Sequence, residues 1–175
     1  IVDYVSKIQR DKTAEDYKQD FIDGINEDDI VKNPDLPIDI DGILEIDTIE
    51  LSLPVSTDGV FENLYDVLVA YSESPTPPTV GNFSIAGHNG SCGELCKFKD
   101  LHKVQSGEEI RYIDRENTYV YKVYKNHIVD KADVWVLDPV EDKTTLTLIT
   151  CQYPSWTRPE RLIVHAELVE VIPNT

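Results

Sequence analysis

The apolar run TLTLITC ends on Cys151, the proline-rich gap QYPSWTRPE follows, and the next apolar run opens on Arg161. Cysteines often serve as small core residues. A thiol ending one strand with a cation opening the next also suits nucleophilic catalysis. Thiolate forms only with help, because free cysteine titrates near pH ~8.5, so a base or cation must stand close by. The candidates are His88, His102, His127 and His165. His88 stands out: SIAGHNG places it just after a short apolar run, flanked by glycines that allow a tight turn over a neighbouring strand end. Attack on a carbonyl builds negative charge on its oxygen, and a fixed cationic donor lowers that barrier. Arg158 and Arg161 could both serve. Arg161 is preferred because it starts a strand, whereas Arg158 precedes Pro159 in a loop.

These residues need a scaffold, and from Leu44 onward the signals are mainly strand. ILEIDTIELSLPV, FSIAG, EEIRYID, TYVYKVYKNHIV, TTLTLITC and RLIVHAELVEV are the strand segments. GVFENLYDVLVAY reads as a helix, and CGELCKFKDL as a short turn. Many short strands with few helices predict a closed or nearly closed barrel. Side chains alternate along a strand. Leu146 and Leu148 therefore face one way, with Thr147, Ile149 and Cys151 opposite. Likewise Leu162, Val164, Ala166 and Leu168 share a face, with Arg161, Ile163, His165 and Glu167 behind. If the leucine-rich faces fill the barrel, Cys151 and Arg161 both lie outside.

Residues 1–41 read as a helical and linker segment, distinct from a catalytic β-domain over 42–175. Ile1, Val5 and Ile8 form one weak helical stripe; Tyr17, Phe21 and Ile25 form another, with Asp11 or Thr13 as its cap. KNPDLPIDIDG then breaks the pattern as a linker.

Composition bounds the rest. A chain of 175 residues suits a single sizeable core. The formal charge of -17 argues against nucleic acid or an anionic membrane surface as a partner. No stretch is long and apolar enough to span a bilayer. The sequence opens on Ile1 without methionine and reads as a piece of a longer precursor whose signal or anchor has been removed.

TLTLITC followed by the Arg-headed RLIVHAEL, with GNFSIAGHNG upstream, resembles the sortase family of cysteine transpeptidases. CKFKDLHKVQSGEEIRY and YVYKVYKNHIVDKADVWVLDPVEDKTTLTLITC extend the likeness, which runs from about Gly42 to the C-terminus. The resemblance implies an eight-stranded β-barrel with its site in an outer groove. It implies Cys151 as nucleophile, His88 as general acid/base, and Arg161 as binder of substrate backbone and oxyanion. It also implies cleavage of a Leu-Pro-x-Thr-Gly-type signal on surface proteins between Thr and Gly. A thioacyl enzyme would follow, with transfer to an amine of a cell-wall precursor or pilin. The family implies the outer face of a Gram-positive membrane, reached through an N-terminal anchor.

The short gap and VLDPVEDK resemble class A or a neighbouring housekeeping-like class; GHN and VHAEL resemble class B. The Asp-Pro-aromatic lid motif of class C is not matched by NPDLP. No cofactor or metal is expected: an acidic residue follows Val-Leu-Asp in calcium-responsive class A members, and Pro139 stands there.

Thr150, Tyr153 and Trp156 are candidates for holding the substrate peptide, the two aromatics as anchors on the loop beside the nucleophile. Cys92 and Cys96 admit free thiols first, then a disulfide, then a zinc site. A cysteine hydrolase and a non-catalytic surface barrel with a structural Cys151 are the rival classes.

Overall fold

A computed structural model describes residues 2–25, 35–90, 92–152 and 159–175. Eight strands close a barrel: β1 (Gly42–Ile46), β2 (Leu51–Ser56), β3 (Leu68–Ala70), β4 (Gly81–Ala86), β5 (Glu109–Ile113), β6 (Asn117–Asp130), β7 (Thr144–Cys151) and β8 (Glu160–Pro173). Their order around the barrel is β1-β2-β3-β4-β7-β8-β6-β5. β2–β3 and β4–β7 run parallel; the other neighbours are antiparallel. The eight-stranded, mainly β architecture read from the sequence is the one observed.

The inner face is mainly apolar. Leu44, Phe83, Ile85, Tyr112, Tyr121, Leu146, Leu148, Leu162, Val164 and Ala166 belong to one buried cluster. Alternation along β7 and β8 thus resolves as expected, with the leucine-bearing faces inward. The tyrosines of β6 follow the same rule, Tyr119 and Tyr121 lying inside.

Two segments differ from the sequence reading. GVFENLYDVLVAY forms a 3-10 turn, Phe61–Tyr65, followed by β3. Leu68 and Ala70 face the barrel interior, while Val67 and Val69 pack outward against Tyr17. A strand buried on both faces shows an unbroken apolar run, which periodicity alone cannot tell from a helix.

The N-terminal stretch is one helix, α1 (Val2–Ile25), so positions 11 and 13 lie inside it rather than at the start of a second segment. Among its described side chains the buried ones are the expected Tyr17 and Phe21. Tyr17 Oη accepts a hydrogen bond from the Ile38 amide at 3.3 Å, and the Arg115 guanidinium lies 5.2 Å from the Phe21 ring centre. Leu36, Ile38 and Ile40 of the proline-broken stretch pack on the same patch, making it a strap along the barrel wall. Asn33 and Pro34 of the NPDLP segment lie outside the described residues.

Candidate active site

β7 and β8 run antiparallel, and their register sets Cys151 directly across from Arg161. Both are half-buried, and Cys151 is a free thiol. Their outward neighbours are Ile149 and Ile163, which form a second apolar cluster with Val129 and Val136 on the outside of the barrel. The outer placement expected for the cysteine and arginine is therefore observed. A small pocket of about 70 Å³ opens beside Arg161, walled by Tyr71, Val136, Leu137, Ile149 and Ile163. Arg161 Nη1 donates to the Glu160 carbonyl at 3.2 Å. Burial raises the pKa of the Tyr71 phenol, and the guanidinium works against that rise.

His88 follows β4, which runs parallel to β7 with Ala86 opposite Ile149. Three bonds carry the stitching past the strand end. The Gly87 amide donates to the Ile149 carbonyl at 3.1 Å, Thr150 Oγ1 donates to the Gly87 carbonyl at 2.7 Å, and Asn89 Nδ2 donates to the Cys151 carbonyl at 3.0 Å. The segment carrying His88 is thus pinned on both sides to the residues leading into Cys151. Gly87 is required by close approach: a Cβ there would sit 2.6 Å from the Phe98 ring and 2.8 Å from Leu68.

The His88 carbonyl accepts from the Phe98 amide at 2.9 Å, and its ring lies 4.6 Å from the Tyr65 ring, centre to centre. The imidazole is half-buried, and that burial holds its pKa below the ordinary histidine value. Beyond Asn89 and Gln152 lies an open hollow of about 280 Å³, also lined by Gly90, Lys99 and His102.

Thr150, expected at the peptide, is buried to 2% exposure, with its hydroxyl engaged by Gly87. It belongs to the stitching that sets His88, not to an open surface. Tyr153, Trp156 and the rival Arg158 lie outside the described residues. Cys92 and Cys96 are joined as a disulfide, their Cα atoms 5.2 Å apart, which corrects the preference for free thiols and leaves neither sulfur as a zinc ligand. Among the described residues no three His, Cys, Asp or Glu side chains gather as a metal site.

Asn89 escaped the sequence reading although it sits next to His88 in GHN. Its part depends on reaching the neighbouring strand, which no local pattern reports. The hydrogen-bonded chain of Asn82, Thr147, His165 and half-buried His127 escaped it too; the one available signal was that His165 shares the face of Arg161.

A sortase-domain family model matches residues 44–169, most of the chain. The chain belongs to the sortase family. Sortases are cysteine transpeptidases, and that membership gives this sortase its reaction class. It is 29% identical over 178 aligned residues to Sortase A of Streptococcus agalactiae serotype III (strain NEM316), covering 94% of this chain and 67% of that one. To Sortase D of Bacillus subtilis (strain 168) it is 27% identical, over 73% of this chain and 63% of the relative. The chain therefore spans about two thirds of the length of both curated relatives. Among solved structures, the Sortase D5 transpeptidase of Clostridium perfringens superposes with TM-score 0.70 at 25% identity, covering 92% of this sortase and 98% of that chain. Sortase A of Listeria monocytogenes gives 0.68 at 26% identity, covering 78% and 91%.

Proposed function

We propose that this sortase cleaves a Leu-Pro-x-Thr-Gly-type sorting signal between Thr and Gly and joins the new threonine carboxyl to an amine. The amine belongs to a cell-wall precursor or a pilin, and the reaction runs at the outer face of a Gram-positive membrane. The observation that carries the reading is the pairing of Cys151 with Arg161 across β7 and β8, with the His88 segment stitched to the same strand end. Similarity to both Sortase A and Sortase D supports a class A-like or neighbouring member. No cofactor is assigned a part.

In this reading Cys151 Sγ, as thiolate, attacks the threonine carbonyl carbon. The carbonyl oxygen takes up negative charge, and the Arg161 guanidinium stabilises it. His88, as imidazolium, gives its proton to the departing glycine nitrogen, and the C–N bond breaks to leave a thioester on Cys151. An incoming amine attacks that thioester, passes its proton to neutral His88, and releases the thiolate. Burial lowers the His88 pKa, so imidazolium is scarce at neutral pH, and kcat/KM should be bell-shaped because attack needs a thiolate and departure of the amine needs an imidazolium.

Transfer is expected to outrun hydrolysis, since an amine is a stronger nucleophile than water toward a thioester and neutral His88 can take the proton of either. The test is incubation with sorting-signal peptides, with and without glycine-type, side-chain and stem-peptide amines, and identification of products by mass. A new amide at the threonine, with faster turnover as amine is added, is the expected result. Rapid hydrolysis that no amine diverts would replace the transpeptidase reading with a cysteine protease.

A further inference from the structure

The outer face of β7, β8 and β6 carries three rows of side chains. By register Cys151, Arg161 and Val129 form the first, and Ile149, Ile163 and His127 the second. The third is polar: Thr147 and His165 are register partners, Asn82 of β4 adjoins Thr147, and the His127 ring reaches His165 from the second row. Three of the four members are nearly closed to solvent, with Thr147 at 0%, Asn82 at 4% and His165 at 7% exposure, while His127 is half-buried.

Hydrogen-bond chemistry fixes where each proton sits. The Asn82 amide nitrogen donates to the carbonyls of Val136 at 2.9 Å and Asp138 at 3.2 Å. Its oxygen must then accept, and Thr147 Oγ1 donates to it at 2.7 Å. A hydroxyl has one proton to give. Thr147 Oγ1 therefore accepts from His165 Nδ1–H, 2.9 Å away. Neutral His165 is left with a bare Nε2, which accepts from His127 Nε2–H at 3.1 Å. Every donor in the row has an acceptor, and the link from His127 Nε2–H to His165 Nε2 needs His165 neutral.

The far end of this chain grips the active-site wall. The Val136 carbonyl belongs to the 3-10 turn Val134–Leu137, whose Val136 and Leu137 close the pocket beside Arg161. We propose that the ordered chain His127–His165–Thr147–Asn82 holds this turn against the barrel, so that these four are positioning residues that set the sorting-signal pocket. The proposal rests on the proposed function and adds to it that the sorting-signal peptide enters this pocket beside Arg161. Protonating both rings sets N–H against N–H at the Nε2 contact and pushes the two rings apart, straining the link to Thr147, so peptide binding should weaken in acid apart from any titration of His88.

The other groups facing the pair are Tyr124, stacked on His165 at 5.9 Å, and Lys125 of β6. From the 131–143 connection come Trp135, 5.7 Å from His127, and Asp138, which lines the same hollow of about 330 Å³ as His165. Glu167 of β8 is tied to Lys143 at 2.8 Å. Only the histidine pair has its protons specified by the chain.

Thr147→Val removes the hydroxyl with little change of shape. Loss of one buried hydrogen bond should raise KM for the signal peptide about tenfold and leave kcat within about twofold. Thr147→Ser should restore KM. In the unmodified protein, nitrogen NMR of the imidazole rings should show His165 protonated on Nδ1 and His127 on Nε2. Amides 134–138 should exchange faster with deuterium in Thr147→Val. Opposite tautomers, or a folded Thr147→Val with unchanged KM and unchanged exchange, would overturn the proposal. Failure of every sorting-signal peptide to turn over would instead strike the reading of the site, and tautomers and exchange would still judge the network.

Discussion

Two covers lie on the outside of this barrel, and they are built differently. Over β3, α1 and the strap close the wall with Tyr17, Leu36, Ile38, Ile40 and Leu64 against Val67 and Val69. Over β7 and β8, the turn Val134–Leu137 is held by an apolar row and by hydrogen bonds from Asn82. Apolar contact is non-directional and indifferent to pH. A buried hydrogen-bonded chain is directional and fails when one partner changes its proton or its reach. The first cover serves stability. The second leaves a pocket beside Arg161 and ties its shape to side chains that titrate.

The largest effects should come from the site under the second cover. Cys151→Ala should abolish turnover of a sorting-signal peptide while the melting temperature stays close to that of the parent. His88→Ala and Arg161→Ala should each lose several orders of magnitude in kcat/KM, removal of an oxyanion donor alone costing about 2.7–4 kcal/mol of barrier. A crippling Arg158→Ala beside a mild Arg161→Ala would move the cationic role into the gap.

The first cover should answer in the opposite way. Phe21 is buried to 2% exposure, so Phe21→Ala should cost about 3 kcal/mol in denaturant unfolding and change kcat/KM of the folded fraction little. Equal damage to activity would show that the two covers are coupled.

Acid separates the covers next. Burial, then His127 and Lys125, push the His165 pKa down to about 4, against about 6.5 in an unfolded chain. Between those values the unfolded state binds the extra proton, so stability falls as pH drops. The contribution is whole above about 6.5 and gone below about 4. His127 and His88 shift in the same direction, both through burial first. His165→Asn should flatten the slope of unfolding free energy against pH in that window; an unchanged slope would assign it elsewhere.

The smallest effect should follow Cys92→Ser with Cys96→Ser. The short disulfide loop is worth about 2 kcal/mol or less of stability, and peptide cleavage should stay within a few-fold. Loss of activity in a folded double variant would make the disulfide part of the placement of His88.

Much of the barrel was legible because most strands have one face inside and one outside. Leu146, Leu148, Leu162 and Val164 alternate with Thr147, Ile149, Ile163 and His165, so a period of two survives in the sequence. β3 was illegible for the complementary reason, since Val67–Ala70 is buried on both faces. The single helix α1 was split because two weak stripes resembled two segments; Tyr17 and Phe21 were marked correctly, but their partners lie beyond position 35.

The sequence by itself determined the thiol at the end of β7, the arginine opening β8, the histidine after β4 and the outward face shared by Cys151 and Arg161. Each follows from local order and strand alternation, which the chain carries within a few residues. Only the tertiary structure decided that Asn89 reaches the Cys151 carbonyl, that Thr150 is spent on Gly87, and that Asn82, Thr147, His165 and His127 form one proton-ordered row. Those partners stand 18 to 65 positions apart, and what joins them is strand register and burial. Burial obliges each polar group to find a partner, and the fold alone supplies it.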